Sequence, residues 1–324
     1  MKARIISASA FFFYLASVCP VWAQTAKPPR IGVLLPGGAQ YETLDGFRQG
    51  LKEAGWEEGK HFVLEIKDIK GDLALAEQAA KTLEKDGVHL IYALTTTVIA
   101  KAKAGTSQVP IVFAIGSDPV VGGLVENFAR PGGRLTGVHY LVRDLTAKRL
   151  EVLKEILPKL SRVLTFYDPN NRVASEGATL ARDEAKRAGI KMIERHVGSV
   201  QELKSELQKL KAGEADAFLF TPDPMIGSES QSIIDAARVK KLPTMFQEQS
   251  LVQNGALASY GQNYHEIGRL SAKYVQRVLT GTPPRDMKIE TVDSVELAIN
   301  LQTAKQLGVT IPPQVLARAR KVIK

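Results

Sequence analysis

The sequence of 324 residues has one cysteine, Cys19, and it lies in a short N-terminal stretch that reads as removable. Lys2 and Arg4 give a positive start, Ile5 to Val18 is apolar and uncharged, and Val21-Trp22-Ala23 forms a cleavage pattern before Gln24. That is the composition of a secretory leader spanning 1–23. Cleavage after Ala23 leaves no thiol, which excludes disulfides, thiolate catalysis and cysteine-held metals from the exported chain. A lipid anchor on Cys19 is the competing reading. Ala16-Ser17-Val18 lacks the leucine and small-residue pattern of a lipoprotein signal, so a soluble periplasmic protein is the expectation.

Other absences narrow the function. No later apolar run reaches the ~20 residues of a membrane span. The five histidines, His61, His89, His139, His196 and His265, have no metal-ligand spacing. No G-x-S-x-G elbow, P-loop or G-x-G-x-x-G motif is present. The expectation is therefore a protein that is not an enzyme and holds no cofactor or metal. The formal net charge is +9, but Lys and Arg are spread along the helices, as at Lys204, Lys209 and Lys211. Without a dense basic run, and with export, the charge reads as a solvated surface and not a nucleic-acid footprint.

What is present is a rhythm of strand, turn and helix. Arg30 to Leu35, Leu90 to Leu94 and Ile111 to Ile115 are near-continuous apolar runs, the mark of strands buried on both faces. Between them, Leu44, Phe47, Leu51 and Ala54 make one apolar helical stripe that stops at Gly55. The rhythm resumes after Pro131-Gly132-Gly133 with strands at Val163 to Tyr167, 191–196, Ala217 to Phe220, Pro243 to Phe246 and Leu257 to Tyr260. Ser199 and Glu202 form a capping box that opens a helix.

Two α/β blocks, each long enough for its own parallel sheet, imply two Rossmann-like lobes. No low-complexity linker divides them, so several short crossings join them. These are placed near Tyr140–Asp144, Ser259–Asn263 and Asp286–Asp293. The first lobe then takes 27–143 and about 262–285; the second takes 144–261 and about 286–324.

Ligands of open parallel sheets bind beyond the carboxyl ends of the strands. Here those ends are Gly37-Gly38, Thr95-Thr96-Thr97, Gly116-Ser117-Asp118, Tyr167-Asp168-Pro169-Asn170, Thr221-Pro222-Asp223-Pro224 and Gln247-Glu248. Thr95 to Thr97 precede a helix, whose free N–H groups and dipole suit a carboxylate; simple threonine capping is the alternative. Asp118, Asp168 and Asp223 each precede proline, an ordinary helix start, or one of them pairs with a ligand ammonium. Asp118 is preferred for that role, because Gly116 and Ser117 leave room beside it. Gly37, Ser117, Tyr41, Tyr167 and Tyr260 complete the candidate site, although tyrosine packing at lobe edges explains the aromatics equally well.

The ordered set of segments resembles a known family. Its pieces are Arg30-Ile31-Gly32-Val33-Leu34, Gly46-Phe47-Arg48-Gln49-Gly50-Leu51 and Ile111-Val112-Phe113-Ala114, followed by Ser117-Asp118-Pro119-Val120. Gly123-Leu124-Val125, Ala129-Arg130-Pro131-Gly132-Gly133, Leu135-Thr136-Gly137 and Lys148-Arg149-Leu150-Glu151 continue it, and Ser259-Tyr260-Gly261 and Asn300-Leu301-Gln302-Thr303-Ala304-Lys305 close it. The chain resembles the ABC-transporter substrate-binding family that includes tryptophan- and phenylalanine-binding proteins. The resemblance implies a type I periplasmic-binding-protein fold with three interlobe crossings. It also implies a transport partner, a membrane permease with its ATPase, but it does not carry the ligand; a monomer that binds a small polar ligand, an amino acid or related carboxylate, is the expectation from the cleft residues. A sensor-linked binding protein on the same scaffold is the alternative, and an exported enzyme a weaker one.

Overall fold

The computed structural model describes residues 27–140 and 144–324. The leader, Cys19 and residues 141–143 lie outside them. The first lobe opens with β1 (Arg30–Leu35), α1 (Tyr41–Glu53), β2 (Val63–Asp68), α2 (Leu75–Lys85), β3 (Leu90–Leu94), α3 (Thr96–Gly105), β4 (Ile111–Ile115) and β5 (Leu135–Tyr140). The chain then builds α4 (Asp144–Ile156), β6 (Arg162–Tyr167), α5 (Arg172–Arg187), β7 (Lys191–His196), α6 (Val200–Lys209) and β8 (Ala217–Leu219). There follow α7 (Pro224–Ser228), α8 (Ser230–Val239), β9 (Thr244–Phe246), α9 (Gln249–Gln253) and β10 (Ala258–Gln262). It returns through α10 (Tyr264–Leu279) and β11 (Glu290–Val292), and ends with β12 (Val295–Asn300), α11 (Leu301–Leu307), α12 (Pro313–Arg318) and β13 (Lys321–Ile323).

The strands form two sheets, ordered β2-β1-β3-β4-β5-β11 and β7-β6-β8-β9-β10-β12-β13. Every pairing in the first is parallel. The second is parallel except where β12 runs against β10. β1, β3 and β4 are buried on both faces, as continuous apolar runs require when helices cover both sides of a sheet. Separate apolar clusters lie on the two faces of each sheet, one pair around Phe47 and Phe113, the other around Phe218 and Leu219. The fold is α/β with two Rossmann-like lobes, of the type I periplasmic-binding-protein kind.

The chain passes from one lobe to the other between β5 and α4, at Asn263 between β10 and α10, and at Asp293 and Ser294 between β11 and β12. The last lies at the end of the expected Asp286–Asp293 crossing, so the first lobe runs past the expected bound of about 285. β11 pairs with β5, and Met287 and Ile289 pack in the first lobe's core. β11 is three residues of Glu-Thr-Val, too short to carry a period, so the pattern along the chain does not reveal which sheet it joins.

α10 packs on α1 through glycines at Gly46, Gly50 and Gly268. A side-chain carbon at Gly268 would overlap the carbonyl oxygen of Thr43, and one at Gly46 would overlap that of His265. Such obstacles are backbone and cannot rotate away. Gly268→Ala should cost about 1–3 kcal/mol by overpacking, read as a lower midpoint in thermal unfolding; an unchanged midpoint would show that the helices separate freely.

Candidate functional site: the interlobe cleft

In the first sheet the strand order reverses between β1 and β3; in the second it reverses between β6 and β8. The carboxyl ends at these switch points face each other across a cavity, the place where open α/β sheets hold their ligands. The first lobe lines it with Pro36, Ala39 and Gln40 after β1, Thr95 to Thr97 after β3, Gly116 after β4, and Tyr140. The second contributes Val173, Phe220, Pro222, Asp223, Pro224, Gly227, Gln247 and Glu248.

One wall is a helix start. α3 begins at Thr96, and its N-cap Thr95 makes no capping bond with its side chain. Thr95 Oγ1 is buried and has no hydrogen-bond partner among the described residues. Its backbone holds φ 72° and ψ 146°, a conformation that a β-branched residue adopts only when its surroundings impose it. The N–H groups of the first turn, with the positive end of the helix dipole, are therefore open toward the cavity.

The opposite wall holds two buried carboxylates with different duties. Asp223 caps α7: Oδ1 accepts from Met225 N at 2.9 Å and Ile226 N at 3.4 Å, while Oδ2 accepts from Asp168 N at 2.9 Å. Burial still pushes its pKa up to about 6. Glu248 is 1% exposed. Its Oε1 accepts from Gln247 Nε2 at 2.8 Å, and its Oε2 has no partner among the described residues. Burial, with Glu42 adding to it, raises the Glu248 pKa to about 7, against the pull of Gln247 and Arg149. A buried carboxylate with a free oxygen at a cavity wall is a cation receptor. Between the two polar walls, Ala39, Tyr140, Val173, Phe220 and Pro222 make an apolar flank.

The family model for ABC transporter substrate binding proteins matches residues 30–323. The chain belongs to the ABC transporter substrate-binding protein family. A tyrosine-binding protein of Clostridioides difficile is 27% identical over 81% of this chain and 75% of its own. Among solved structures, an ABC domain from Streptococcus pneumonia in complex with L-Trp is 25% identical, with a TM-score of 0.78 over 91% of this chain and 100% of that one. The ligand-free, open structure of a substrate-binding protein with adhesive properties from Clostridium difficile is also 25% identical. It covers 91% of this chain and 99% of its own but superposes with a TM-score of only 0.58. At equal identity, the chain superposes more closely on the ligand-bound neighbour than on the open one.

Within this binding-protein frame the sequence candidates separate. Thr95, Thr96, Thr97 and Asp223 line the cavity. Gly37 sits just behind it at φ 87°, where a side chain would strike Asp68. Ser117 is buried but does not line the cavity, whereas its neighbour Gly116 does. Asp118 is outside too; its Oδ1 accepts from Val120 N at 2.8 Å and Val121 N at 3.1 Å, capping a turn and not a helix. Asp168 likewise caps a turn, accepting from Asn170 N, and Asn171 is the N-cap of α5. Tyr167 donates to Glu194 at 2.7 Å, away from the cleft. Tyr41 donates to Asp68 and lines a neighbouring groove, and Tyr260 packs in the second lobe's core. Asp118→Asn should therefore leave fold and ligand affinity within about 0.5 kcal/mol of the parent, since Asn makes the same turn; calorimetry and a thermal melt check this.

Sequence reasoning left Gln40, Phe220 and Glu248 out of the candidate site. Gln247-Glu248 stands out only as one more strand end. β9 is three residues long, and nothing local reveals that the glutamate after it is buried.

Proposed function

We propose that this chain is the extracytoplasmic solute-binding component of an ABC importer, and that it captures a free amino acid with a large apolar side chain. The observation that carries the reading is one cavity with an uncapped helix start on one wall and a buried carboxylate with a free oxygen on the other. The first suits a carboxylate and the second an ammonium. An amino acid supplies both charges on adjacent atoms, and Phe220, Tyr140 and Val173 give its side chain an apolar seat. The L-Trp bound to one structural neighbour and the name of the tyrosine-binding relative support the same class. The role is binding without turnover; the chain acts as a monomer, exported by its leader, and delivers to a permease with its ATPase. Among the described residues no helix is long and apolar enough to cross a membrane.

A thermal-shift screen of residues 24–324 against the twenty amino acids, simple sugars and polyamines tests this. A ligand at 100 times its Kd adds about 2.7 kcal/mol of stability. The expected result is stabilisation by aromatic or large aliphatic L-amino acids. Stabilisation by sugars alone would overturn the reading.

A further inference from the structure

The lobes also meet outside the cavity, and at one of these places they meet as bare backbone. Gly38, in the turn after β1, and Gly71, in the turn after β2, have φ of +59° and +79°. Both face the end of α7 on the other lobe. A side-chain carbon at Gly38 would overlap the Gly227 carbonyl oxygen and lie 2.7 Å from Ser228 Cα. One at Gly71 would overlap Ser228 Oγ and lie 3.2 Å from Ser228 Cβ and 3.1 Å from Val200 Cγ2. The Ser228 hydroxyl itself is turned back onto its own helix, donating to Met225 O at 2.6 Å. No polar bond from Ser228 to the first lobe accompanies this approach among the described residues, so the contact is one of shape.

We infer that Gly38 and Gly71 form a seat for Ser228 that sets whether the cleft can shut, and that residue 228 is a positioning residue for ligand capture. Two loops from different strands leave their Cβ positions empty at the one place where a third residue from the other lobe arrives. A side chain on Gly38, or a large one at 228, keeps α7 out; at Gly71 the clash is with the Ser228 hydroxyl itself. The consequence reaches the cavity through short covalent distances: Pro224 and Gly227, on the same five-residue helix as Ser228, line it. Asp223, which caps that helix, also ties it to the end of β6 through Asp168 N. A helix held off its seat takes part of the cavity wall with it. The contact needs no particular ligand, so this inference stands apart from the amino-acid reading.

The test uses residues 24–324, which contain no cysteine. In the double variant Gly71→Cys/Ser228→Cys the two Cβ atoms start near 3.2 Å, a small shift from the ~3.5–4.5 Å of a disulfide. Oxidation should remove both free thiols, and the small-angle scattering of the oxidised protein, with no ligand added, should match the profile calculated from this structure. Ser228→Phe should keep the parent's circular dichroism but scatter as a more expanded particle, with or without L-tryptophan as probe. Because affinity falls with the fraction of closing-competent protein, its Kd for that probe should rise about tenfold or more. Ser228→Ala should behave as the parent, separating bulk from the loss of a hydroxyl. Thiols that persist under oxidation, or a Ser228→Phe protein with the compact profile, would overturn the seat. The L-tryptophan result with the parent protein reports separately on the ligand class.

Discussion

Glu248→Gln should weaken capture of the proposed amino-acid ligand by about 10- to 150-fold, the equivalent of 1.5–3 kcal/mol for a hydrogen bond to a charged group. The change keeps size and shape but removes the charge that faces the ligand ammonium. The same carboxylate makes binding depend on pH. Its pKa of about 7 in the folded protein stands above the ordinary 4.5, so part of the population is protonated at neutral pH and must lose that proton to pair with an ammonium. Affinity should therefore rise with pH up to and through about 7, then level off, and the Gln variant should show a flatter profile.

Stability moves the other way. Between pH 4.5 and 7 the folded state holds a proton at Glu248 that the unfolded chain has released, so the ligand-free protein loses stability as pH rises through that window. The size is on the order of 3 kcal/mol if burial acts undiminished. Asp223, raised to about 6 from 3.8, adds the same sign over a slightly lower range. Glu248→Gln should thus be no less stable than the parent at pH 8 while binding worse, the signature of a residue kept for function. Calorimetry from pH 5.5 to 8.5, with denaturant melts at the same values, reads both. Undiminished affinity in Glu248→Gln would remove the carboxylate from ligand recognition.

Arg149→Ala costs about 3–5 kcal/mol of stability. Arg149 is fully buried, the largest side chain so enclosed among the described residues. Nη2 donates to Thr146 Oγ1 at 2.8 Å and Nη1 to Tyr260 O at 3.4 Å; Nε has no partner among the described residues. Burial lowers its pKa to about 10, although Tyr264 and Glu248 favour its charge. It sits where the crossings converge: Tyr260 lies near the end of β10, and Tyr264 opens α10 and meets Tyr140 edge-on at 5.4 Å. Truncation leaves a cavity as large as those of the costliest core deletions. Arg149→Met fills most of that volume without a charge and should recover most of the loss, as apolar replacements of buried ions do. Urea melts of the three proteins separate packing from charge; equal losses in Ala and Met would assign the effect to the guanidinium.

The architecture was legible because it depends on periodicity, which is local. Continuous apolar runs mark β1, β3 and β4, and the Ser199 cap, accepting from Glu202 N at 3.2 Å, opens α6 as the sequence indicates. The threonine run and Asp223 were legible as well, since each is a strand end beside a helix start. What failed were choices between equivalent strand ends. Asp118 and Glu248 are both acids just past a strand, yet one caps an exposed turn and the other is enclosed by two lobes. Burial of that kind is decided by residues far along the chain, such as Glu42 and Arg149 around Glu248. The third crossing falls at the far end of the expected Asp286–Asp293 stretch for a related reason: β11 joins the first sheet by pairing with β5, a partner some 150 residues away.

The most direct test of an amino-acid site with two charged walls is calorimetry of residues 24–324 with a ligand and two analogues that each lack one charge. L-tryptophan, tryptamine and indole-3-propionate share the ring; the second has no carboxylate and the third no ammonium. The account predicts that L-tryptophan binds, and that each analogue binds at least about tenfold more weakly, the value of one charge-assisted contact. Indole-3-propionate bound as tightly as L-tryptophan would contradict the role of Glu248, and tryptamine bound as tightly would contradict that of the α3 helix start.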